Sequence, residues 1–405
     1  MDGVSTTSVS AEVPDESLVP ICESVKADLI ANERLTPVDH FQDVRLLDLS
    51  LHADVPYGPG AVAVVYPKNF PADVDDFIKS QSWESVADLP LALCPTSVNT
   101  PTPASSPSPL RHVTLAPTTT LRELLTNYLD IASIPRRSFF ASLAYFTKCG
   151  NEDEKYQRER ILELANPELI DELSHARISI GQNTMAICMK GASRVQLLVA
   201  VANPPNPIIK YRKRHGVCTR YITTLKPGQQ LNIGMQPGYL DVKPSDYEVP
   251  MIMISPGTGL ASMRSLIYDR LKCARQGMFK VAGQPLAGCL LFFGCRSRDA
   301  DLFFRHEWGA LEREGLEMFL ALSRDKEEPR NYVQDLLVKQ ADKVFEAIDA
   351  KQARIFVCGS SGSMPKAVRQ AIVDIVKSKR DMNDEDAEAY LAALEKQGRY
   401  KQEIW

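Results

Sequence analysis

The chain has 405 residues, a formal net charge of −4 and 24% charged residues, which is typical of two or three folded domains. This weakly acidic balance gives no general electrostatic attraction to nucleic acid or to an anionic membrane. No apolar run approaches the ~18 residues of a membrane span, and the acidic, Ser/Thr-rich start of the sequence does not predict a signal peptide.

The nine cysteines are distributed singly, and no two of them form a CxxC pair. This spacing predicts no metal site, and the odd number argues against a complete disulfide framework. We therefore expect reduced thiols and a cytoplasmic location.

The first half of the chain predicts a β-rich domain. Residues 1–28 are expected to form a flexible leader, and the domain extends over 29–245. The alternation of Leu47, Leu49 and Leu51 with polar residues favours an antiparallel β-barrel or sandwich.

Two insertions interrupt this predicted domain. Residues 95–119 are rich in Pro, Ser and Thr, which favours a flexible loop. Residues 120–173 are predicted to be helical, with Thr118 or Thr119 as the N-cap of a helix at 121–128. Strand character returns at 195–202 and 231–235.

The second half, residues 246–405, alternates strands and helices, which predicts an α/β domain with a parallel sheet. The predicted strands lie at 249–254, 287–294, 318–323 and 354–358. The predicted helices lie at 261–276, 300–314, 332–349, 364–379 and 384–397.

Polar or Gly-rich turns follow all four predicted strands. They contain, in order, Gly257-Thr258-Gly259, Cys295-Arg296, Ser323-Arg324 with Arg330 and Tyr332, and Cys358. A single Gly/Pro turn is more often a plain connection, and a single Arg is usually solvated. Because ligands bind beyond the carboxyl ends of parallel strands, four such turns at one edge favour a site for a phosphorylated ligand.

Three other positions each have two interpretations. Cys358 is either a small apolar core residue or the border of a hydride-transfer site. Trp405 is either frayed or stacked on a planar cofactor. The segment Gly216-Val217-Cys218-Thr219 is either a solvated loop or a helix start that binds a pyrophosphate.

Taken together, these segments resemble the NADPH-dependent diflavin reductases. The resemblance covers about residues 25–405 and is strongest at 64–69, 128–140, 216–219, 292–296, 332–334 and 398–405. It implies a fold of α/β plus β-barrel type, with a ferredoxin–NADP reductase-like FAD barrel carrying a helical insert before an NADP-binding parallel-sheet domain.

The resemblance also implies hydride transfer from NADPH to FAD. In one branch of the family the electrons go on to cytosolic iron–sulfur cluster assembly, so the implied partner is an iron–sulfur protein such as anamorsin or a separate flavodoxin-like protein.

Carried over to this sequence, the resemblance implies two sets of binding residues. Gly216, Val217, Cys218 and Thr219 would bind the FAD pyrophosphate, and Thr258, between Gly257 and Gly259, would contact the NADP phosphates. The adenine and 2′-phosphate would be bound by Ser323, Arg324, Arg330 and Tyr332, with Gln334 in the same motif and Cys295-Arg296 nearby.

The resemblance further implies three residues at the reacting end of the cofactors. Cys358 would lie near the nicotinamide, Glu403 would be its acidic partner, and Trp405 would shield the flavin face until NADPH displaces it.

The sequence departs from the family pattern in two places. We expect no FMN, because the flavodoxin-like domain that opens these proteins has no counterpart here. The Arg-x-aromatic-Ser flavin motif has only a remnant, Arg177-Ile178-Ser179-Ile180. Two alternatives to a flavin oxidoreductase fragment therefore stay open: a degenerate NADP-binding protein without flavin turnover, and a single-flavin reductase that serves a separate partner.

Overall fold

The computed structural model describes residues 13–91, 115–132, 137–166, 193–202, 216–280 and 283–404, together with the backbone of 185–186. The chain forms two compact units. The helical unit combines Met1–Ser24, Val65–Asn183 and Val201–Leu225, and the sheet unit combines Val25–Val64, Thr184–Ala200 and Lys226–Trp405.

The helical unit is built from short helices. They are α1 Pro71–Ser80, α2 Leu121–Asn127, α3 Arg137–Leu143, α4 Glu152–Ala165 and α5 Val217–Thr224. Val74 and Ile78, one turn apart on α1, pack with Ala87 and Leu125 in a small buried cluster. This i, i+4 spacing is the signal of an amphipathic helix.

The beginning of α2 corrects the predicted cap. Thr120, rather than Thr118 or Thr119, is the N-cap, because its hydroxyl accepts the N–H of Glu123 while the Glu123 carboxylate accepts the N–H of Thr120. Only Thr120 has a glutamate three residues later, so only this register forms the reciprocal capping box.

The sheet unit contains a barrel-like sheet of six strands in the order β4-β3-β6-β1-β2-β5. The strands are β1 Ser24–Arg34, β2 Val44–Leu51, β3 Val62–Val65, β4 Met185–Ala186, β5 Arg194–Ala200 and β6 Gln230–Gln236. Strand β2 pairs antiparallel with both β1 and β5. Leu47, Leu49 and Leu51 are buried on β2, as their alternation predicts.

The start of β1 lies within the predicted leader. Ala27 and Leu29 are fully buried on this strand, so the ordered sheet begins at Ser24 rather than after residue 28.

The same unit contains a parallel sheet in the order β11-β10-β7-β8-β9. Its strands are β7 Met251–Pro256, β8 Leu290–Cys295, β9 Glu317–Leu322, β10 Arg354–Gly359 and β11 Tyr400–Ile404. Its helices are α6 Leu260–Arg275, α7 Arg305–Arg313, α8 Val333–Lys339, α9 Ala341–Asp349, α10 Met364–Arg380 and α11 Asp384–Lys396.

Hydrophobic residues cover both faces of this parallel sheet. On one face, Met253 of β7 shares a buried cluster with Val44 and Leu198 of the barrel. On the other face, Ile252 and Ile254 pack with residues of α8 and α10. Burial on both faces explains why these strands appear in the sequence as continuous apolar runs.

A buried polar chain also joins the barrel to the parallel sheet. The Arg264 guanidinium on α6 donates two hydrogen bonds of 2.7 Å to Glu307 and one of 3.1 Å to Gln196 on β5. The Gln196 amide in turn donates to Asp48 on β2 at 3.2 Å, and Asp48 pairs with Arg194.

Two elements differ from the sequence prediction. The helix expected at 332–349 is two helices, since Gln340 leaves helical geometry with φ −104° and ψ 27°. The last residues form β11, a parallel strand on β10. Among the described residues, no helix is both long and apolar enough to cross a membrane.

Candidate nucleotide-binding site

The four turns singled out from the sequence meet at one edge of the parallel sheet. In register, Pro256 on β7 pairs with Gly294 on β8, and Cys295 pairs with Leu322 on β9. Strand β10 lies on the other side of β7. The carboxyl ends of β10, β7, β8 and β9 are therefore neighbours, which is where open parallel sheets bind ligands.

The turn after β7 brings the backbone unusually close to β10. Gly257 has φ +59°, a conformation that favours glycine. A Cβ on Gly259 would lie 2.2 Å from the carbonyl oxygen of Cys358, so only glycine fits there. The turn leads directly into α6, and the first amides of a helix have no partner within the helix. The half-buried Thr258 lies between these glycines.

Arg296 follows β8 and is held from two directions. Its backbone N–H donates to the Asp301 carboxylate at 2.8 Å. Its guanidinium carbon lies 3.4 Å from the centre of the Phe41 ring. Partial burial and the neighbouring positive charge of Arg324 lower the pKa of Arg296.

The turn after β9 is hydrogen-bonded to the turn after β8. The N–H of Ser323 donates to the Cys295 carbonyl at 3.0 Å, and the N–H of Arg324 donates to the Arg296 carbonyl at 2.9 Å. The Ser323 hydroxyl is half-buried and the Arg324 side chain is exposed. The two arginines are therefore placed side by side by backbone geometry.

Arg330 and Tyr332 form a second cation-aromatic pair. The guanidinium carbon of Arg330 lies 4.9 Å from the ring centre of Tyr332, and 37% of Tyr332 is exposed. Gln334, in the first turn of α8, is half-buried. Tyr332 thus presents a partly open ring, which is suited to stacking on a planar group.

Three arginines contribute positive charge at this edge. Within the described part of the chain, no carboxylate lies in ion-pair distance of the side chains of Arg296, Arg324 or Arg330. Arg298, by contrast, pairs with Glu328 at 2.7 Å. Guanidinium groups that no carboxylate neutralises provide strong, directional donors for a phosphate.

Cys358 and Glu403 form a buried pair on adjacent strands. They are direct partners in the β10–β11 register, with Cys358 fully buried and Glu403 7% exposed. Burial and the charge of Glu403 raise the pKa of the Cys358 thiol, and Ser262 opposes this effect. The thiol is therefore neutral at physiological pH.

Glu403 itself is incompletely satisfied. Burial raises the pKa of its carboxyl group to about 7. Its Oε2 is buried and has no hydrogen-bond partner among the described residues. A buried polar atom without a partner is costly, which makes this oxygen a candidate to contact a ligand.

The side chain of Cys295 has a different environment. It is buried at the end of β8, and burial together with the charge of Asp301 raises its pKa to about 12. The residue can therefore contribute packing and its backbone carbonyl to this edge, but not a thiolate.

In the helical unit, Gly216 is the N-cap of α5, as the sequence interpretation requires. A Cβ on Gly216 would lie 2.9 Å from the Thr219 hydroxyl, which itself accepts the N–H of Ala202 at 3.1 Å. Cys218 and Thr219 are buried. The first turn of α5 therefore offers backbone amides rather than those two side chains to an anion.

Several predicted features lie wholly or partly outside the described residues: Trp405, the motif remnant Arg177-Ile178-Ser179-Ile180, residues 95–114 of the predicted loop and residues 133–136 and 167–173 of the predicted helical insert. Conversely, sequence reasoning missed Phe41, Ser262 and Asp301. Nothing in the sequence pairs Phe41 with Arg296, since 255 positions separate them. Their contact is seen only in the folded structure. Within the described ranges, no group of three or more His, Cys, Asp or Glu could hold a metal ion.

Comparison with known proteins agrees with this arrangement. Residues 23–190 match the family described as "FAD binding domain", and residues 253–370 match that described as "Oxidoreductase NAD-binding domain". The second match covers the turns after β7, β8, β9 and β10, and the first covers most of the barrel strands.

Curated relatives extend the similarity over nearly the whole chain. It is 35% identical to NADPH-dependent diflavin oxidoreductase 1 of Emericella nidulans over 95% of this chain and 64% of that protein. It is 34% identical to the Aspergillus fumigatus protein of the same name, over 99% of this chain and 68% of that protein. The Xenopus laevis protein is 30% identical, over 94% of this chain and 64% of its own length. The chain thus spans about two thirds of the length of these relatives.

Proposed function

Because the chain belongs to the NADPH-dependent diflavin oxidoreductase family, we propose that it binds FAD and NADPH and catalyses hydride transfer from NADPH to the flavin. The observation that carries this proposal is the sheet edge, which combines a buried thiol–carboxyl pair with guanidinium groups that no carboxylate of the described residues neutralises. Such an edge suits a phosphorylated dinucleotide whose reacting end needs a dry environment.

The adenosine end of NADPH would bind beyond β8 and β9. In this proposal Arg324, Arg296 and Arg330 bind the 2′-phosphate, with Ser323 as an additional donor. Tyr332 stacks on the adenine, while Gln334 lies in the first turn of the following helix. The absence of a paired carboxylate on these arginines among the described residues supports this assignment, because a carboxylate would compete with the phosphate.

The pyrophosphate of NADPH would lie against the turn after β7. Gly257 and Gly259 allow the backbone to approach, Thr258 provides a hydroxyl donor, and the first amides of α6 point towards the negative charge. The requirement for glycine at position 259 supports this assignment, since the turn is pressed against Cys358.

Cys358 and Glu403 would border the nicotinamide. The neutral thiol provides a small, desolvated surface, and the Glu403 carboxyl group, with its pKa raised to about 7, is largely protonated below that pH. Its Oε2, which has no partner among the residues that the structure describes, is available for a hydrogen bond to a bound ligand. Trp405 would cover the flavin face when the nicotinamide is absent.

FAD would be held partly by α5. The amides of Val217, Cys218 and Thr219 would bind its pyrophosphate, with Gly216 allowing close approach. When bound, FAD supplies the acceptor for the hydride. We further propose that residues 29–245, together with the beginning of β1 at Ser24, form the FAD-binding domain and residues 246–405 the NADP-binding domain.

The electron acceptor and the location are further parts of the proposal. We propose that a separate flavodoxin-like or iron–sulfur protein, such as anamorsin, receives the electrons in the cytoplasm. The relatives' name, which includes "diflavin", and the free thiols of the described cysteines support this view.

The test is a visible spectrum of the purified protein followed by NADPH-dependent reduction of ferricyanide. We expect a yellow protein with flavin absorbance and turnover that depends on NADPH. Arg324→Ala should lose binding to 2′,5′-ADP, whereas Arg298→Ala, whose guanidinium already pairs with Glu328, should retain it. Protein that remains colourless in excess FAD would refute flavin chemistry.

The departure from the Arg-x-aromatic-Ser motif favours a second candidate: an NADP-binding protein without flavin turnover. That candidate predicts binding of 2′,5′-ADP by a colourless protein. The two measurements together therefore separate the candidates.

A further inference from the structure

The backbones of Arg296 and Arg324 are hydrogen-bonded neighbours, but their side chains carry like charges. Two like charges repel, and the charge of Arg324 contributes to the lowered pKa of Arg296. The Asp301 carboxylate accepts the backbone N–H of Arg296 but lies outside ion-pair distance of its guanidinium. Another group must therefore keep the Arg296 side chain in place.

That group is the ring of Phe41. It lies in the connection between β1 and β2 of the barrel, and its centre is 3.4 Å from the guanidinium carbon of Arg296. Phe41 is 59% exposed and belongs to none of the buried hydrophobic clusters of the described residues. Besides this contact, its ring lies against that of His40, with ring centres 4.7 Å apart and a tilt of 53° between the planes.

The connection that carries Phe41 is held in a defined shape. The Arg34 guanidinium donates to the carbonyls of Thr36 at 3.0 Å, Pro37 at 2.8 Å and His40 at 3.2 Å. The Thr36 hydroxyl donates to the Gln42 carbonyl at 2.8 Å. These bonds hold the backbone on both sides of Phe41 and so define where the side chain of Phe41 begins.

From this arrangement we propose that Phe41 is a positioning residue for the 2′-phosphate: it holds the Arg296 guanidinium near Arg324, so that a side chain of the barrel strengthens the preference for NADPH over NADH. The proposal rests on the proposed function, because it assigns the two arginines to the 2′-phosphate. The guanidinium carbon lies over the ring, a cation–aromatic contact that uses none of the guanidinium N–H groups, so these groups can donate to phosphate oxygens.

The experiment compares Phe41→Ala, Phe41→Leu and Phe41→Trp with Val38→Ala. Val38 is a matched control because it lies in the same connection with its side chain 88% exposed. Binding of 2′,5′-ADP and of 5′-AMP, which lacks the 2′-phosphate, is measured by titration calorimetry. The KM and kcat of ferricyanide reduction are then measured with NADPH and with NADH.

Phe41→Ala and Phe41→Leu should weaken 2′,5′-ADP binding about five-fold, the equivalent of about 1 kcal/mol. Binding of 5′-AMP, the KM for NADH and the kcat with either cofactor should not change. Phe41→Trp should restore the affinity because it retains an aromatic face, and Val38→Ala should match the unmodified chain.

Three results would overturn the inference: equal 2′,5′-ADP affinity in Phe41→Ala and the unmodified chain, equal weakening of both nucleotides, or tighter binding of 2′,5′-ADP. If the unmodified chain binds 2′,5′-ADP no better than 5′-AMP, the proposed NADPH site itself fails, and this outcome is distinct. If Phe41→Ala does not fold by circular dichroism, Phe41→Leu, which keeps an apolar side chain but no ring, decides the question.

Discussion

The buried carboxyl group of Glu403 makes the stability of the protein depend on pH. Its pKa is raised by burial from 4.5 to about 7, so between these values the folded chain binds more protons at this site than the unfolded chain does. The free energy of unfolding therefore falls as pH rises through this window. The shift corresponds to about 3 kcal/mol, which is fully present below pH ~4.5 and lost above pH ~7.

Glu403→Gln should remove this dependence, because the amide does not ionise. Relative to the unmodified chain, its free energy of unfolding should rise by about 3 kcal/mol between pH 4.5 and pH 8. Urea unfolding followed by circular dichroism at several pH values, without added cofactor, measures this difference. The comparison uses the change with pH, so a constant cost of burying the amide does not affect it.

Glu312→Gln is the matched control, because Glu312 is an exposed residue of α7. Its unfolding curve should follow that of the unmodified chain at every pH. If the pH dependence of Glu403→Gln is also parallel to that of the unmodified chain, the carboxyl group is not a buried, neutral acid. The proposal that Glu403 is a protonated acid beside the nicotinamide would then be wrong.

Two further substitutions test the packing beneath the site. Gly259→Ala should lower the free energy of unfolding by about 1–3 kcal/mol and weaken NADPH binding, because its Cβ would lie 2.2 Å from the Cys358 carbonyl oxygen. Gly309→Ala, whose Cβ would meet nothing within 4 Å, is the control. Equal thermal midpoints of unfolding for Gly259→Ala and the unmodified chain would contradict the argument. Arg264→Met should cost about 3–5 kcal/mol because it leaves Glu307 buried without its partner. The double change Arg264→Met with Glu307→Leu should recover much of this loss in urea unfolding, and a double variant no more stable than Arg264→Met would show that the ion pair is not the cause.

The sequence predicted the parallel sheet well because its signal is local. Buried parallel strands are continuous apolar runs, and the strands observed at Met251–Pro256 and Arg354–Gly359 begin within two residues of their predicted positions. The turn at Gly257–Gly259 was likewise predicted, since glycine next to threonine between a strand and a helix is typical of a turn that approaches an anion.

Elements that depend on distant partners were not predicted. The strand Tyr400–Ile404 is short and mixed in polarity, and it is a strand because β10 offers it a hydrogen-bonding edge. The break at Gln340 has no glycine or proline to mark it. Residues 71–80 form α1 with a proline in its first turn, a signal that was present in the sequence but weak.

The candidate site was predicted only in part, because some of its residues are identified by local sequence and others by contacts between distant segments. Residue type and strand position identified Arg324 and Cys358, whereas the contact of Phe41 with Arg296 depends on how the barrel packs on the sheet. The direction of the Cys218 and Thr219 side chains also could not be read from the motif, and both are buried.

The polar chain from Glu307 through Arg264 and Gln196 to Asp48 has a consequence for work in different buffers. Mobile ions screen exposed charges over a Debye length of about 8 Å at physiological ionic strength but reach buried pairs poorly. The side chains of Arg264 and Glu307 are only 5% and 14% exposed, whereas Arg324 is open to solvent. Concentrated salt should therefore release a phosphorylated nucleotide from the sheet edge, while the buried hydrogen bonds between the barrel and the parallel sheet remain.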